Sequence, residues 1–348
     1  MIQSPDASRP PAQPRLTAER LLGLDALRGI AALCVVFLHA SALYPQLPHY
    51  SGKAYLAVDF FFMLSGFVMA RTYEGRLAKG YLGAQFFFAR YRRLWPTMVV
   101  GGLLFLPFLH EAAPEPGLYY KLVVLNLLLL PALTSREIFP LNVPAWSVFY
   151  ELVANLLHGY VLWRLPVRWL GGMCIVALMG VAVASYDVGS MDIGSGKGEL
   201  LGGISRVLFS YGMGIIIWRC WGERRLHAAW GIAALLAMPV LFAVPGEWLL
   251  GYWPYDLAVE AVCCPLILIG GLSVLRSPGD GPGKWAARWA GELSFPLYAI
   301  HFPLLYWFRD WQLPAELAIL LCLPAAAVVS LVTQSMRTHR STTRHNIM

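Results

Sequence analysis

The first residues able to carry chemistry are an arginine and a histidine in one apolar run. Arg28 and His39 have ten residues between them, and eleven steps of about 100° complete roughly three helical turns. Both side chains therefore project from one helix face, roughly 16 Å apart along the axis. Ionisable residues inside apolar segments are costly and often functional. The alternatives are an arginine that reaches the membrane surface and a core histidine bonded to a backbone carbonyl.

Two carboxylates are candidates for orienting this histidine. Asp59 lies near the start of a predicted span, and Glu151 lies about two turns inside another. A carboxylate bonded to one imidazole nitrogen fixes the tautomer and strengthens the other nitrogen as a base. Glu151 is expected at the depth of His39, with His158 as an alternative partner for the same carboxylate.

A second set of polar residues is predicted to bind or support a substrate. Arg90 and Arg93 are three residues apart and share a helix face, and two guanidinium groups at a helix mouth suit phosphate recognition. Basic residues also occur at ordinary cytoplasmic helix ends. Four further residues in the predicted spans are expected to support a substrate or the packing around it: Ser65, Trp146, Tyr298 and His301.

The elements that carry these residues are apolar helices. The chain has 348 residues, 58% hydrophobic and only 14% charged, whereas soluble domains carry about 25% charged residues. The pattern predicts an all-α, polytopic transmembrane bundle of about ten spanning helices. The predicted spans are residues 22–43, 54–73, 90–109, 145–163, 169–186, 203–218, 228–245, 255–275, 292–308 and 314–336.

The charges of the loops predict the orientation. Six Lys and Arg residues occupy 71–93, which is therefore predicted to be cytoplasmic, whereas 110–117 has two Glu and no Lys or Arg. Only one crossing fits before the basic pair Arg164 and Arg168, so the short apolar run 119–133 is predicted to be re-entrant. Both termini are then cytoplasmic. The chain has a net charge of +7, and its basic residues lie between apolar runs. This distribution indicates membrane topology and not nucleic-acid binding.

One membrane domain, residues 21–336, is predicted to account for most of the chain. Residues 1–20 are Pro-rich and polar, and are predicted to form a disordered cytoplasmic tail. Residues 337–348 are predicted to be a cytoplasmic C-terminal tail. The six cysteines lie in or beside apolar runs without metal-ligand spacing, so packing is their predicted role and no metal is expected.

Five motifs follow one another across residues 24–310. They are LDALRGIA at 24–31 followed by His39, VDFFFMLSGF at 58–67, RYRRLWP at 90–96, Trp146-Ser147 with Glu151, and Ser294 through Tyr298 to His301-Phe302-Pro303. Together they resemble the acyltransferase 3 family of membrane O-acyltransferases. Ala26, where glycine is common, and Val148, where leucine is usual, are mild departures. The chain is expected to lack the C-terminal hydrolase-like domain that some members carry.

The resemblance implies a membrane O-acyltransferase. Such enzymes move an acyl group, commonly acetyl, from a cytoplasmic acyl-CoA to a hydroxyl of a glycan or another acceptor that is often exported. The implied donor is a substrate and no tightly bound cofactor is expected. The implied location is the bacterial inner membrane. The family's arginine–histidine pair corresponds to Arg28 and His39, and its arginine pair to Arg90 and Arg93.

These correspondences lead to expected roles. His39 is expected to act as general base or transient acyl carrier, with Glu151 or Asp59 orienting it. Arg90 and Arg93 are expected to bind the phosphates of the donor, and Arg28 is expected to bind the donor or to line its route. Two other functions use the same residues: a proton-coupled exporter of glycans or lipids, although paired broken helices are not apparent, and a non-catalytic membrane scaffold.

Overall fold

A computed structural model of the chain describes residues 20–47, 52–112, 115–243, 250–275 and 281–345, with backbone alone at 111–112 and 336–345. The predicted disordered tail, apart from Arg20, lies outside these residues. Within them the protein is helical, and its extended pairing is a single β-bridge between Glu137 and Gly196. The predicted all-α class is confirmed for the part of the chain that the structure describes.

The described residues form thirteen α-helices, joined by short 3₁₀ turns and, between α10 and α11, by a π-helical turn (Val259–Cys263). They are α1 (Leu22–Leu43), α2 (Ala57–Leu77, after a 3₁₀ turn at Ala54–Leu56), α3 (Gly83–Phe105), α4 (Leu109–Ala112), α5 (Pro116–Leu127), α6 (Ala145–Tyr160), α7 (Val167–Val188), α8 (Leu200–Trp221), α9 (Ala228–Ala243), α10 (Tyr252–Ala258), α11 (Cys264–Gly271), α12 (Pro282–Asp310) and α13 (Ala315–His345).

Several of these helices can cross a bilayer. Six stretches are long and apolar enough: Leu22–Leu43, Ala54–Leu77, Val167–Val188, Leu200–Trp221, Tyr252–Gly271 and Ala315–Ser335. The other four predicted spans coincide with α3, α6, α9 and α12. The helices α6 and α9 have 16 residues each, about 24 Å against a hydrocarbon core of about 30 Å. The helices α3 and α12 each carry three charged residues in their N-terminal halves. The multi-pass architecture is therefore supported, and the count of about ten is not confirmed.

The predicted re-entrant run lies in α5 and the turn that follows it. The 12 residues of α5 extend only about 18 Å. Leu129 then adopts a left-handed φ of 57°, and the chain doubles back past Asn126. The Asn126 amide donates to the Ile138 carbonyl at 3.3 Å and accepts from the Leu141 amide at 3.0 Å. This geometry suits a segment that enters and leaves on one side, and its place in the membrane stays a prediction.

Small residues set the helix contacts that position the polar side chains. A Cβ on Gly29 would lie 2.5 Å from Cβ of Ala290, so α1 and α12 pack closely. A Cβ on Gly66 would lie 2.0 Å from the carbonyl oxygen of Tyr211, so α2 and α8 meet backbone to backbone. Only glycine permits such approach, as is common in membrane bundles. These contacts fix the rotation and depth of α1 and α2 against their neighbours.

Candidate active site

A cavity of about 490 Å³ opens between α1, α2, α3, α6, α12 and α13. The helix α1 begins at the end of the bundle where α2 ends and α3 begins, and ionisable side chains from these elements line the cavity. Five arginines face three carboxylates there: Arg20, Arg28, Arg71, Arg90 and Arg93 with Asp25, Glu151 and Glu292. Hydroxyl and aromatic groups complete the lining, including Phe61, Ser65, Thr97, Ser147 and Tyr298. The excess of arginines makes the cavity suitable for an anionic ligand.

Arg90 is the most buried arginine of this cavity, at 6% exposure. Its Nη2 donates to Oε1 of Glu151 at 3.0 Å, and Ser65 Oγ donates to the same oxygen at 2.7 Å. The buried Nε of Arg90 has no hydrogen-bond partner among the described residues. Glu151 thus holds Arg90 in place, while the guanidinium keeps an unused donor beside the cavity.

The other two predicted donor-binding arginines line the same cavity. Arg93 follows Arg90 by three residues, and both reach the wall as their spacing predicts. Arg28 enters from α1, with its Nη1 3.9 Å from Oδ1 of Asp25 and its side chain 28% exposed. The structure therefore brings all three arginines together, and their binding of an acyl-CoA stays a prediction.

His39 is paired with a second histidine. Its Nδ1 lies 2.9 Å from Nε2 of His301, and Nδ1 of His301 lies 3.0 Å from the carbonyl oxygen of Leu297. His301 is fully buried, whereas His39 is partly exposed. The ring of Tyr298, which lines the cavity, is centred 5.9 Å from that of His301. The histidine pair therefore lies directly beyond the cavity wall.

The position of His39 relative to Arg28 agrees with the predicted helical geometry. Because α1 continues unbroken from Leu22 to Leu43, the two residues are separated by about 16 Å along the axis. A ligand that contacts both must therefore be elongated.

The carboxylates expected to orient His39 have other partners in the structure. Asp59 receives Arg206 Nε at 3.0 Å and Nη2 at 2.6 Å, and Glu151 is bonded to Arg90 and Ser65 as described. Neither carboxylate has a hydrogen bond to His39 in the described part of the chain. The expected orienting group is thus replaced by His301, because the packing of α1 against α12 brings these two rings together.

His158 likewise does not contact Glu151. Its Nε2 is 3.9 Å from Oε1 of Glu74, beside Arg219, which donates to Glu74 at 2.6 Å. The alternative pairing of His158 with Glu151 is therefore corrected. His158 belongs to a buried cluster at the end of α2, α6 and α8.

Two predicted support residues of the site have defined contacts. The hydroxyl groups of Tyr298 and Ser147 are 2.7 Å apart, and Tyr298 also donates to the Pro144 carbonyl at 3.2 Å. The ring of Trp146 lies 5.3 Å from the guanidinium of Arg206, a cation–π contact. Tyr298 therefore belongs to the cavity wall, whereas Trp146 covers a buried ion pair.

Arg206 is the residue that the sequence analysis missed. It is fully buried in α8 and donates to Asp59 and to the carbonyls of Ile193 at 2.7 Å and Tyr55 at 3.1 Å. An arginine inside the predicted span 203–218 is the same signal that identified Arg28. Glu260, another fully buried carboxylate, accepts from the Ser210 hydroxyl at 2.7 Å.

Comparisons with known proteins identify the family of the chain. Residues 21–334 match the family model described as an acyltransferase domain, acyltransferase 3. A Rhizobium radiobacter protein described as protein 2 in the picA locus is 38% identical over 160 residues, which cover 40% of this chain and 82% of that protein. No solved structure matches the chain with significance. With several membrane-length apolar helices and a family model that extends over nearly all of them, the chain belongs to the acyltransferase 3 family of membrane acyltransferases.

Proposed function

We propose that this acyltransferase moves an acyl group, specifically acetyl, from a cytoplasmic acyl-CoA to a hydroxyl of a glycan or another exported acceptor. The observation that carries the proposal is the arginine-lined cavity with a hydrogen-bonded histidine pair directly beyond its wall. The arginines provide an anion site and the histidine provides a base, which are the two groups that this reaction requires.

The arginines account for recognition of the donor. An acyl-CoA carries its phosphates at one end and its thioester at the other, joined by a long arm. Arg28, Arg90 and Arg93 would bind the phosphates, and His39 lies about 16 Å further along α1. The cavity volume of about 490 Å³ lies within the range of small-molecule sites, about 300–1,000 Å³.

The histidine accounts for the chemical step. An acceptor O–H gives its proton to a ring nitrogen of His39 while the oxygen forms a bond to the thioester carbonyl carbon. The C–S bond then breaks, and the CoA thiolate takes the proton from the imidazolium and leaves as the thiol. In the acyl-carrier alternative, the same nitrogen attacks the thioester carbonyl carbon first, and the C–S bond breaks to release the CoA thiolate. The acceptor oxygen then takes the acyl group from the nitrogen, and its proton goes to the thiolate, which leaves as the thiol.

The orientation follows from the charge around the cavity mouth. Arg76 lies in the last turn of α2 and Lys79 in the α2–α3 connection, at the end of the bundle where α1 begins. Basic loops stay in the cytoplasm. The donor would then enter from the cytoplasm, with both termini on that side of the inner membrane. A cysteine introduced at Lys79 should be inaccessible to a labelling reagent added from outside, and a cysteine introduced at Ser135 should be accessible. The reverse pattern would contradict this orientation.

The main test is His39→Ala in membranes supplied with labelled acetyl-CoA and the surface glycans of the same cells. Transfer should fall about 10²–10⁴-fold, the typical contribution of a positioned base, with acetyl-CoA binding retained. His227→Ala is the matched control, because His227 lies exposed in the α8–α9 connection. Transfer at the wild-type rate in His39→Ala would exclude His39 as base and carrier. Absence of acyl product in the wild type, with glycan transport lost in the variant, would favour the exporter.

A further inference from the structure

We propose that His301 is a positioning residue: it sets the tautomer of His39 so that Nε2 of His39 is the unprotonated nitrogen offered to the acceptor. The inference rests on the proposed function of His39. It names the residue that takes the place expected for a carboxylate, and it identifies which nitrogen of the base reacts.

The contacts of His301 place its ring proton on Nδ1. A carbonyl oxygen only accepts hydrogen bonds, so the 3.0 Å contact between Nδ1 of His301 and the Leu297 oxygen requires a proton on that nitrogen. A neutral imidazole carries one N–H. The Nε2 of His301 is therefore an acceptor with a free lone pair, and it points to His39.

The hydrogen bond between the two rings then determines which nitrogen of His39 carries the proton. Its Nδ1 is 2.9 Å from Nε2 of His301, and two nitrogens that both lack a proton cannot form a hydrogen bond. The proton between them must therefore belong to Nδ1 of His39. The remaining nitrogen, Nε2 of His39, is then the free base.

Burial requires that the pair is neutral before the reaction. His301 is fully buried, and no carboxylate is hydrogen-bonded to either ring in the described part of the chain. An imidazolium without an ionic partner is costly in such surroundings. When His39 accepts a proton at Nε2, its Nδ1–H still donates to His301, so the chain of hydrogen bonds stays intact throughout the reaction.

Two substitutions separate positioning from packing. His301→Gln supplies an amide oxygen that can accept from Nδ1 of His39, whereas His301→Leu has a similar volume and no acceptor. Transfer from labelled acetyl-CoA should fall at least about tenfold in His301→Leu, and by up to about 10⁴-fold if the wrong tautomer dominates, as in other catalytic histidines. His301→Gln should stay within about tenfold of wild type. The loss should appear in kcat, with KM for acetyl-CoA unchanged, because the arginines lie elsewhere.

The tautomer is measured directly by ¹⁵N NMR of the full chain in lipid nanodiscs, with His39 assigned by its loss in His39→Gln. The wild type should show His39 protonated at Nδ1 and bare at Nε2, and His301→Leu should show protonation at Nε2. A wild-type His39 protonated at Nε2, or equal activities of the Gln and Leu variants, overturns the proposal. The NMR result does not depend on turnover, so failure of the acyltransfer assignment alone would leave the observed tautomer unchanged.

Discussion

Two arginine–carboxylate pairs in the bundle have the same chemistry and different surroundings. Arg206 and Asp59 are fully buried, and Arg206 donates to both oxygens of Asp59 and to two backbone carbonyls. In the cavity, the side chains of Arg90 and Glu151 are 7% and 18% exposed. A single hydrogen bond joins them, and Nε of Arg90 has no partner among the described residues.

The two pairs differ in the number of hydrogen-bond partners and in their access to the cavity. The guanidinium of Arg206 is surrounded by acceptors and has no accessible surface, so no ligand can reach it. Arg90 has an unused donor beside a cavity that also contains Arg93 and Arg28. Both pairs place charged side chains inside the membrane, so this feature alone does not separate a structural role from a functional one. Saturation of its hydrogen bonds assigns the pair with Arg206 to support of the fold, whereas the incomplete hydrogen bonding of Arg90 supports the proposal that Arg90 binds a ligand.

The largest effect on the fold is expected from Arg206→Ala. The variant leaves Asp59 charged, fully buried and without its partner, which costs about 3–5 kcal/mol of stability. Thermal unfolding of the purified protein in detergent should show a marked decrease in midpoint and in the yield of folded protein. Unfolding at the wild-type temperature would contradict the structural role.

The double variant Asp59→Leu with Arg206→Met sharpens this test. Replacing both members of a buried pair by apolar residues is often close to neutral, so the double variant should unfold nearer to wild type than Arg206→Ala does. Recovery of acyl transfer along with stability would show that Asp59 has no catalytic role. A folded but inactive double variant would restore Asp59 as a catalytic candidate.

A smaller effect, on binding and not on the fold, is expected from Arg90→Ala. Glu151 stays bonded to Ser65 and open to the cavity, so stability should change less than in Arg206→Ala. Loss of a charge-assisted hydrogen bond is worth about 1.5–3 kcal/mol, so acetyl-CoA affinity should weaken about 10–150-fold. Arg93→Lys should weaken it less than Arg93→Ala, because an ammonium keeps the charge and loses the two-pronged contact.

Arg92→Ala is the matched control for these arginines. Arg92 lies between them in the chain, is exposed, and donates to the Phe88 carbonyl of its own helix at 3.1 Å. It does not line the cavity, so acetyl-CoA affinity measured by calorimetry should be unchanged. Equal losses in Arg92→Ala and Arg90→Ala would indicate a general effect of positive charge and would exclude a defined phosphate site.

The smallest effect is expected from Glu151→Gln. The amide oxygen can still accept from Arg90 and Ser65, so the loss is a charge-assisted contact replaced by a neutral one, about 1 kcal/mol. Acetyl-CoA affinity and transfer should stay within about tenfold of wild type. A loss as large as that of His39→Ala would show that Glu151 acts in the chemical step, and would make the cavity pair more than a support for Arg90.

Apolar runs and helical periodicity were sufficient to predict the helices and the faces on which their polar residues lie. The predicted first span has the same bounds as α1, Leu22–Leu43, because a single apolar run of this length satisfies its own backbone hydrogen bonds in lipid by forming a helix. The shared face of Arg28 with His39, and of Arg90 with Arg93, follows from the helical repeat. The same periodicity predicted that Arg90 and Arg93 of α3 reach one wall of the cavity.

The contacts between these side chains depend on how the helices pack, which their sequences do not specify. His39 contacts His301 across 262 positions, Asp59 contacts Arg206 across 147, and Arg90 contacts Glu151 across 61. Helical periodicity defines a face but not the neighbour it meets, because the neighbour depends on the rotation and depth at which two helices pack. Small residues set these quantities here, as where Gly29 allows α1 to lie against Ala290 of α12. That packing brings a second imidazole to His39, where the sequence alone favoured a carboxylate.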